Sequence, residues 1–391
     1  MTTSATPSPR RRSRRRLVLF VLFAIGLGCV GALLAIELLL RVYDPLPHPL
    51  TEIRWLYRVD DQGRIELTPG WQGGQTLEGR RTQISINALG LRGAEIGEKQ
   101  PGERRVLMLG DSFVFGQGVD DDEAVPARLQ HALAKAGRDV VVGNAGMTGT
   151  GPREWSYTLT RLRPSFEPDA VVAVVYMGND VLDTLQEPLS AVSGWLLTPD
   201  FARVARRSWR FRLRVASRVW DKVEQALSGV NLFAMAEPRP VGHGVPLGEA
   251  LFLDRDPARD AEMPFLGEVE AAMGKQFDAF VGAAGPLPTV VVLLPSFAVA
   301  TRDYQAVIAT QNQGVPPERQ LDPALLERGR GHARVAAWLA ARGLRVVDLG
   351  PRILADPERA RWYLPHDGHF NPAGCEQVAQ WLAQVVAELL R

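Results

Sequence analysis

Five short apolar runs, separated by stretches of helical pattern, limit the possible folds of this chain more than any other feature. The runs are VLMLG (106–110), VVVG (140–143), AVVAVVYM (170–177), TVVVLLP (289–295) and RVVDLG (345–350). Continuous apolar runs of this length are typical of strands that are buried on both faces. The helical intervals between them are long enough for crossover connections. The pattern therefore predicts βαβ units around a parallel five-stranded sheet.

The amino terminus has a separate pattern, which predicts a membrane anchor. Six arginines lie within residues 1–16, and residues 17–36 are 20 consecutive apolar positions. As a helix, this run reaches roughly 30 Å, the thickness of one bilayer core. Glu37 and Arg41 lie one helical turn apart, so we expect an ion pair at the outer end of the helix. The sequence predicts a basic tail over 1–16 and a transmembrane signal anchor over 17–40.

The arginine tail also predicts the orientation of this anchor. Basic residues next to a membrane span stay on the cytoplasmic side. The rest of the chain should then be extracytoplasmic (periplasmic), with a single pass through the inner membrane. A cleaved signal peptide is the alternative, but the apolar run is long for one and no A-x-A-like site follows it. An uncleaved anchor is therefore the favoured interpretation.

Composition changes along the remainder of the chain and predicts its organisation. Residues 41–103 combine a proline-rich linker with short alternating runs, which indicates a small β-rich lead-in. The parallel-sheet pattern fills 104–391, with an insertion at about 185–262. Within the insertion, residues 201–220 hold seven arginines interleaved with aromatic residues. Such a helix can lie on an anionic membrane or pack its aromatic side chains on the domain, and the second interpretation is favoured.

Charge and cysteine content exclude two classes of protein. Without the six arginines of the tail, 39 basic residues face 44 acidic ones, a balance near −5. This charge does not favour a nucleic-acid binder. The two cysteines, Cys29 and Cys375, cannot form a disulfide framework.

Four blocks of polar and glycine residues follow the predicted strands. They are GDSFVFG (110–116), NAGMTGTG (144–151), GND (178–180) and HDGHFNP (366–372). Singly, each is also compatible with a tight turn or a helix cap. Because the carboxyl ends of parallel strands meet at one edge of a sheet, we expect the blocks to form one site. Together they offer a nucleophile, oxyanion donors, a base and an orienting acid.

A metal site is the other interpretation of the last block. His366 and His369 have a spacing that occurs in metal sites, but no third ligand lies nearby in the sequence. We therefore expect neither a metal nor a cofactor.

The four blocks, in this order, resemble those of the SGNH (GDSL-type) hydrolase superfamily over residues 104–391, and in particular its membrane-anchored bacterial members. ISINALGLRG (84–93) is similar to the lead-in segment of those proteins. The resemblance implies a flavodoxin-like three-layer α/β/α fold with a central parallel five-stranded sheet.

The resemblance also implies roles for individual residues. Ser112 would be the nucleophile, His369 the base and Asp367 its partner. Ser112, Gly149 and Asn179 would form the oxyanion hole, the first two through N–H groups and Asn179 through its side chain.

Two departures from the family pattern are present. Met177 replaces the first glycine of the usual G-x-N-D block, and the last block is D-x-H rather than D-x-x-H. The D-x-H spacing resembles SGNH-like proteins that handle acetyl groups on bacterial polysaccharides. His366 is the reserve candidate for the base.

We expect an extracytoplasmic serine esterase that cleaves a short-chain or acetyl O-acyl ester through an acyl-serine intermediate. The substrate would be an acylated small molecule, glycan or lipid, and envelope assembly partners are possible. An O-acyltransferase or acetylation factor for envelope polysaccharide uses the same intermediate and is one alternative. A non-catalytic glycan-binding component with the same fold is another.

Overall fold

A computed structural model describes residues 10–43, 52–192, 194–228, 265–301 and 330–391. The chain forms two compact units. One comprises residues 1–48 and 204–235, and the other comprises residues 49–203 and 236–391. The predicted domain boundaries at 16, 40 and 103 and the predicted limits of the insertion stay predictions. Parts of the tail (1–9), the linker (44–51) and the insertion (229–264) lie outside the described residues.

The larger unit contains the parallel five-stranded sheet that the sequence predicts. Its strands are β5 (Arg104–Gly110), β6 (Val140–Gly146), β7 (Ala170–Tyr176), β10 (Thr289–Leu294) and β11 (Arg345–Asp348). They run in the order β11-β10-β7-β5-β6, with parallel registers such as Leu109 beside Ala173 and Leu293 beside Asp348. This order is that of a flavodoxin-like sheet. All seven residues of β7 are buried, as expected for a β-branched run in the middle of a sheet.

Helices cover both faces of this sheet, which makes the three-layer sandwich. Alternate residues of β7 enter opposite hydrophobic layers: Val172 and Val174 face one layer, while Val171 and Val175 face the other. The first layer holds α3 (Val125–Lys135) and the carboxyl-terminal helix α13 (Pro372–Leu389). The second holds α4 (Pro152–Phe166), α9 (Phe265–Ala284) and α11 (Arg330–Ala340). The fold class predicted from the sequence is therefore confirmed.

Short elements complete the larger unit. A four-residue helix, α2 (Ser112–Phe115), follows β5, and α5 (Asp180–Asp183) follows β7. The other helices of this unit are α10 (Phe297–Thr301), α12 (Gly350–Ala355) and a 3₁₀ turn (Arg359–Trp362). Helix α6 (Pro199–Arg207) begins in this unit, and its residues from 204 onward belong to the smaller unit. Strands β8 (Ser190–Val192) and β9 (Trp195–Leu197) form a small antiparallel pair.

The segment before the sheet consists of two antiparallel hairpins. One joins β1 (Tyr57–Val59) to β2 (Ile65–Leu67), and the other joins β3 (Gln72–Leu77) to β4 (Arg80–Ser85). Their apolar side chains form a third cluster together with Phe115 of α2 and Met147 of the loop after β6. The hairpins thereby rest directly on two of the loops that carry the motif blocks.

The smaller unit is helical. Helix α1 (Arg10–Tyr43) has 34 residues and reaches about 50 Å. It is the one helix among the described residues that is long and apolar enough to cross a membrane, a property that a signal sequence shares. Helices α7 (Trp209–Ala216) and α8 (Arg218–Ser228) belong to the same unit. The predicted Glu37–Arg41 ion pair is present, with 2.8 Å between Nε and Oε1.

Candidate active site

Ser112 lies on the sharp turn from β5 into α2. Asp111 caps this helix: its Oδ1 accepts the Phe113 N–H at 2.9 Å. Gly110 is needed because a Cβ at this position would lie 2.3 Å from Cγ2 of Val114. The helix ends at Gly116, which has a positive φ of 90°. The Ser112 hydroxyl is thus held at the carboxyl edge of the sheet, where open α/β sheets place their sites.

The imidazole of His369 links Ser112 to Asp367. Its Nε2 lies 2.7 Å from Oγ of Ser112. Its Nδ1 forms a hydrogen bond with Oδ1 of Asp367. Serine, histidine and aspartate therefore form one continuous chain of hydrogen bonds, although the serine is 257 positions away from the histidine in the sequence. This arrangement can remove the hydroxyl proton during a nucleophilic attack.

Aromatic rings pack against the imidazole of His369. The ring of Phe113 lies 4.8 Å from the imidazole and stacks on Tyr176 at 4.1 Å. Immediately after the histidine, Asn371 caps α13 by accepting the N–H groups of Ala373 and Gly374. His369 is 1% exposed, so both its orientation and its exclusion from bulk water are fixed by packing.

Asp367 is held by groups from two other segments. The N–H groups of His366 and Asp367 both donate to Oε1 of Glu78, at 2.6 Å each. Glu78 lies in the turn between β3 and β4, so this hairpin of the lead-in reaches the last motif block. Burial opposes the ionised form of Asp367. The charge and hydrogen bonds of His369 and a hydrogen bond from Gln117 outweigh it and lower the pKa of Asp367.

His366 occupies a different place from His369. Its side chain is exposed, and its backbone N–H donates to Glu78. The reserve candidate for the base is therefore not the histidine that contacts Ser112.

Both ring nitrogens of His369 take part in the hydrogen bonds above. The described residues contain no group of three or more histidine, cysteine, aspartate or glutamate side chains that could hold a metal ion.

Gly149 lies in the loop after β6 and has a φ of +70°, which favours glycine. Within the part of the chain that the structure describes, neither its N–H nor that of Ser112 donates a hydrogen bond to the protein. A Cβ at this position would come within 2.9 Å of Cδ1 of Leu189. Both N–H groups are thus available to an oxygen atom of a bound substrate.

Asn179 follows β7 and is held by the next turn of chain. Its Nδ2 donates to Oδ2 of Asp183 at 2.5 Å, and its Oδ1 is buried without a partner in the described structure. One Nδ2 hydrogen therefore fixes the amide while the other can serve as a donor. Among the five predicted site residues, Ser112, His369 and Asp367 bond to one another. Gly149 and Asn179 lie on neighbouring loops and do not bond to them.

Met177, which replaces the usual glycine, is fully buried. Its side chain belongs to the hydrophobic layer beneath α4 and α9. The substitution therefore fills the layer behind the loop that carries Asn179.

Three acids near the site were not assigned a role from the sequence: Asp111 and Asp180, which are buried, and Asp183, which is partly buried. Burial raises the pKa of Asp111 and, with repulsion from Asp111 and Asp183, raises that of Asp180. Burial, together with repulsion from Asp111 and Glu154, raises the pKa of Asp183 to about 7 despite its bond to Asn179. Asp111 and Asp180 lie inside the GDS and GND blocks, so the sequence pattern already placed them near the predicted site. Nothing in the sequence marked Asp183 beyond its spacing of one helical turn from Asn179.

Arg92, also without an assigned role, ties the lead-in to the nucleophile turn. It is buried, and its guanidinium donates to the carbonyl oxygens of Phe115, Gly116 and Val119. It also pairs with Asp121 at 2.8 Å. These carbonyls follow the end of α2, where a cation is favourable. The one feature of the sequence that could have pointed to Arg92 is its place in the LRG sequence of the lead-in block.

Comparison with known proteins agrees with this geometry. Residues 108–377 match the model of the GDSL-like lipase/acylhydrolase family. Comparison with curated protein sequences gave no significant match.

Three solved structures are similar over most of the chain. A lipase/acylhydrolase from Enterococcus faecalis shares 14% identity over 74% of this chain and 97% of its own, with a TM-score of 0.38. The psychrotrophic esterase EstA from Pseudoalteromonas sp. shares 10% identity over 73% of this chain and 98% of its own, with a TM-score of 0.34. A two-domain esterase described as active on acetylated mannans shares 14% identity over 74% of this chain and 50% of its own, with a TM-score of 0.32.

At these identities and TM-scores the family assignment depends on the sequence match, which spans more than half of the chain. The matched residues include the GDSFVFG (110–116) and HDGHFNP (366–372) blocks. They also include the five-stranded sheet, except for the first residues of β5. The chain therefore belongs to the GDSL-like lipase/acylhydrolase family and is a serine hydrolase.

Proposed function

We propose that this protein is an esterase anchored in the inner membrane. Its larger unit (residues 49–203 and 236–391, called the hydrolase unit) would cleave short-chain or acetyl O-acyl esters outside the cytoplasm. The observation that supports this most strongly is the chain of hydrogen bonds from Ser112 through His369 to Asp367. A lone serine hydroxyl is a weak nucleophile, and this chain supplies the base that it requires.

In the first half-reaction, Ser112 Oγ attacks the carbonyl carbon of the ester and its proton passes to Nε2 of His369. The tetrahedral intermediate then collapses, and the bond from carbon to the alcohol oxygen breaks. The departing alcohol takes the proton from Nε2, which leaves an acyl group on Ser112. In the second half-reaction, water attacks this acyl group, His369 takes and returns a proton in the same way, and the free acid leaves.

Asp367 orients the imidazole and stabilises its charged form. Its lowered pKa keeps the carboxylate ionised while His369 carries the extra proton. An ionised partner on Nδ1 also fixes the tautomer in which Nε2 is free to accept the serine proton. Glu78 supports this role from the hairpin by holding the two N–H groups of residues 366 and 367.

The oxyanion would be stabilised by three donors: the N–H groups of Ser112 and Gly149 and the side-chain amide of Asn179. Donors of this kind contribute roughly 3–4 kcal/mol each to the stability of the transition state. Asp183 keeps the Asn179 amide in place by accepting one of its two hydrogens. This chemistry needs neither a metal nor a cofactor.

The amino terminus supports the proposed location. The described helix α1 includes the apolar run, and an arginine-rich tail precedes that run. Arginines next to a membrane span stay in the cytoplasm, so the hydrolase unit would be periplasmic. The substrate would then be an acylated glycan, lipid or small molecule of the cell envelope, and envelope assembly proteins would be within reach as partners.

Hydrolysis of p-nitrophenyl acetate by the full chain in detergent tests the proposal. The Ser112→Ala variant should lose turnover while it keeps its circular dichroism spectrum. Ser156→Ala is a matched control, because the Ser156 hydroxyl donates only within α4, to the Arg153 carbonyl oxygen at 2.8 Å. A folded Ser112→Ala protein with wild-type turnover would rule out the serine mechanism. A series from acetyl to octanoyl esters would measure the preferred acyl length.

An O-acyltransferase acting on envelope polysaccharide is the second candidate. The observation that favours it is the two-residue spacing between Asp367 and His369, which the sequence shares with SGNH-like proteins that handle polysaccharide acetyl groups. A sugar hydroxyl would then replace water in the second half-reaction. Release of p-nitrophenol that rises with an added oligosaccharide, together with an acetylated oligosaccharide in the mass spectrum, would identify a transferase. Release of acetate alone would identify a hydrolase.

A further inference from the structure

Helices α7 and α8 are fastened to the end of α1 by a single carboxylate. Glu37 accepts the N–H groups of Arg218 and Val219, at 2.9 and 3.0 Å, and the hydroxyl of Ser217 at 2.9 Å. These N–H groups lie at the start of α8, where a helix has no partners of its own for them. Glu37 therefore takes the place of an N-cap from outside the helix.

Arg41 strengthens this connection from the next turn of α1. Its guanidinium donates to Glu37 at 2.8 Å and to the carbonyl oxygen of Ala216 at 2.9 Å. The end of α7 and the start of α8 are thus both bound to residues 37–41 of α1. The corner between the two helices is fixed at the level where the apolar run ends.

An apolar groove continues from this corner toward the middle of α1. Its apolar lining from α1 is Val30, Leu33 and Leu34, and its apolar lining from α8 is Val219, Trp220 and Val223. The α1 residues lie one to two turns before Glu37, inside the apolar run. Where α1 spans a bilayer, this side of α8 therefore faces the lipid at the outer boundary of the hydrocarbon region.

The exposed apolar side chains of α7 and α8 form one stripe. Trp209 and Leu213 are 62% and 40% exposed and lie four residues apart on α7. Val223 and Leu227 are 41% and 78% exposed and have the same spacing on α8. Side chains four apart lie on one helical face. The indole of Trp209 lies 6.1 Å from that of Trp220, which joins the two halves.

Positive charge accompanies this stripe. Residues 204–228 contain six arginines and one lysine against one aspartate and one glutamate, a net charge of +5. Arg206, Arg207 and Arg212 are exposed. Exposed apolar residues next to basic ones on a helix pair are typical of elements that lie in the interface of an anionic membrane.

We infer that α7 and α8 form an interfacial membrane-binding element, with the stripe of Trp209, Leu213, Trp220, Val223 and Leu227 embedded in an anionic phospholipid surface. The inference rests on the proposed membrane-spanning role of α1. It places α7 and α8 on the membrane, whereas the sequence pattern of 201–220 alone favoured a helix whose aromatic side chains pack on the domain.

Spin labels on the full chain in proteoliposomes test this inference. In a Cys29→Ser background, Leu227→Cys carries the label on the stripe. Lys222→Cys is the matched control, because residue 222 is exposed on the opposite side of the same helix. Vesicles of phosphatidylcholine with phosphatidylglycerol are compared with phosphatidylcholine alone. The measured quantity is the ratio of collisions with oxygen, which partitions into lipid, to collisions with a nickel chelate, which stays in water.

We expect this ratio to be at least about threefold higher at position 227 than at position 222. The difference should be greater in vesicles that contain phosphatidylglycerol, because of the basic residues. Equal ratios at both positions would overturn the inference. A label at 227 that collides with neither reagent would also overturn it, since another protein segment would then cover the stripe.

Two further measurements on the same samples keep this test separate from the proposed function. Alkaline carbonate extraction reports whether α1 anchors the chain, and nitrophenyl ester hydrolysis reports whether the active site works. Anchored, active protein with equal label ratios would refute the interfacial element alone. Protein released by carbonate would instead refute the anchor on which the inference rests.

Discussion

Within the described residues, the hydrolase unit contains two histidine–aspartate pairs that have similar local contacts and different surroundings. His369 bonds through Nδ1 to Asp367, and His332 bonds through Nδ1 to Asp348 at 2.9 Å. Both imidazoles are buried, at 1% and 6% exposure. The first pair lies within one loop, whereas the second joins α11 to the end of β11. In the first pair, the other ring nitrogen lies 2.7 Å from the hydroxyl oxygen of Ser112.

The difference shows that a histidine–aspartate pair does not by itself make a catalytic site. Asp348 also accepts the Gly350 N–H at 2.8 Å and so holds the start of α12. That pair connects a helix, a strand end and a turn, which is a structural task. Asp367 is supported from outside its own loop, by Glu78 and Gln117. Support of this kind is what a group needs when its geometry must persist through a reaction.

The largest expected effect comes from removing the hydroxyl that contacts the first pair, that of Ser112. Ser112→Ala should lower kcat by about 10⁶-fold, because no other group at the turn can form the acyl intermediate. Labelling by a fluorophosphonate probe followed by mass spectrometry of the peptide checks the assignment. Labelling of any residue other than Ser112 would contradict it.

The two aspartates provide the direct test of the comparison. Asp367→Asn should lower kcat by roughly 10⁴-fold with little change in melting temperature, because an amide no longer stabilises the imidazolium. Asp348→Asn should leave kcat within about twofold and lower stability by about 1 kcal/mol. Steady-state kinetics and thermal melts on both variants measure this contrast. Equal losses of activity would show that the second pair also serves catalysis.

Some of this arrangement follows from the sequence and some does not. The strands were predictable because long runs of valine and leucine require burial, and the site followed because glycine-containing blocks end those runs. Met177 and Asp367 were recognised through the same blocks. Glu78 was not, because its bonds to residues 366 and 367 join positions 288 and 289 apart, and an exposed turn glutamate has no periodic signal. Asp183 was missed because only its spacing of one helical turn from Asn179 marked it, and Arg92 because its place in the lead-in block did not indicate a role.

The support of Asp367 by the hairpin leads to a smaller effect. Glu78→Gln replaces a charged acceptor of two N–H groups with a neutral one, so the loop should hold Asp367 less well. We expect about a tenfold loss of kcat with KM nearly unchanged. The matched control is Glu95→Gln, since the Glu95 carboxylate also accepts a backbone N–H of the lead-in, that of Ala88. Similar kinetics for the two variants would show that the hairpin does not position the site.

The last contrast concerns stability rather than activity, and it compares two partly buried acids whose pKa values shift in opposite directions. The pKa of Asp183 is raised to about 7, so its folded form binds a proton that the unfolded chain releases near pH 4. Its contribution to stability is therefore complete at low pH and is lost as pH rises through about 7. Asp367, with a lowered pKa, contributes stability that is lost as pH falls. Asp183→Asn should accordingly gain roughly 2–3 kcal/mol relative to wild type between pH 5 and pH 8.

Urea unfolding of the full chain in detergent at both pH values measures this gain, with Asp367→Asn as the matched control. The control should not gain relative to wild type over the same interval, because the Asp367 carboxylate is ionised at both pH values in the folded and unfolded chain. A pH-independent difference for Asp183→Asn would mean that Asp183 is ionised throughout and that its bond to Asn179 outweighs its burial. In that case the amide of Asn179 would be held by a full negative charge at every working pH.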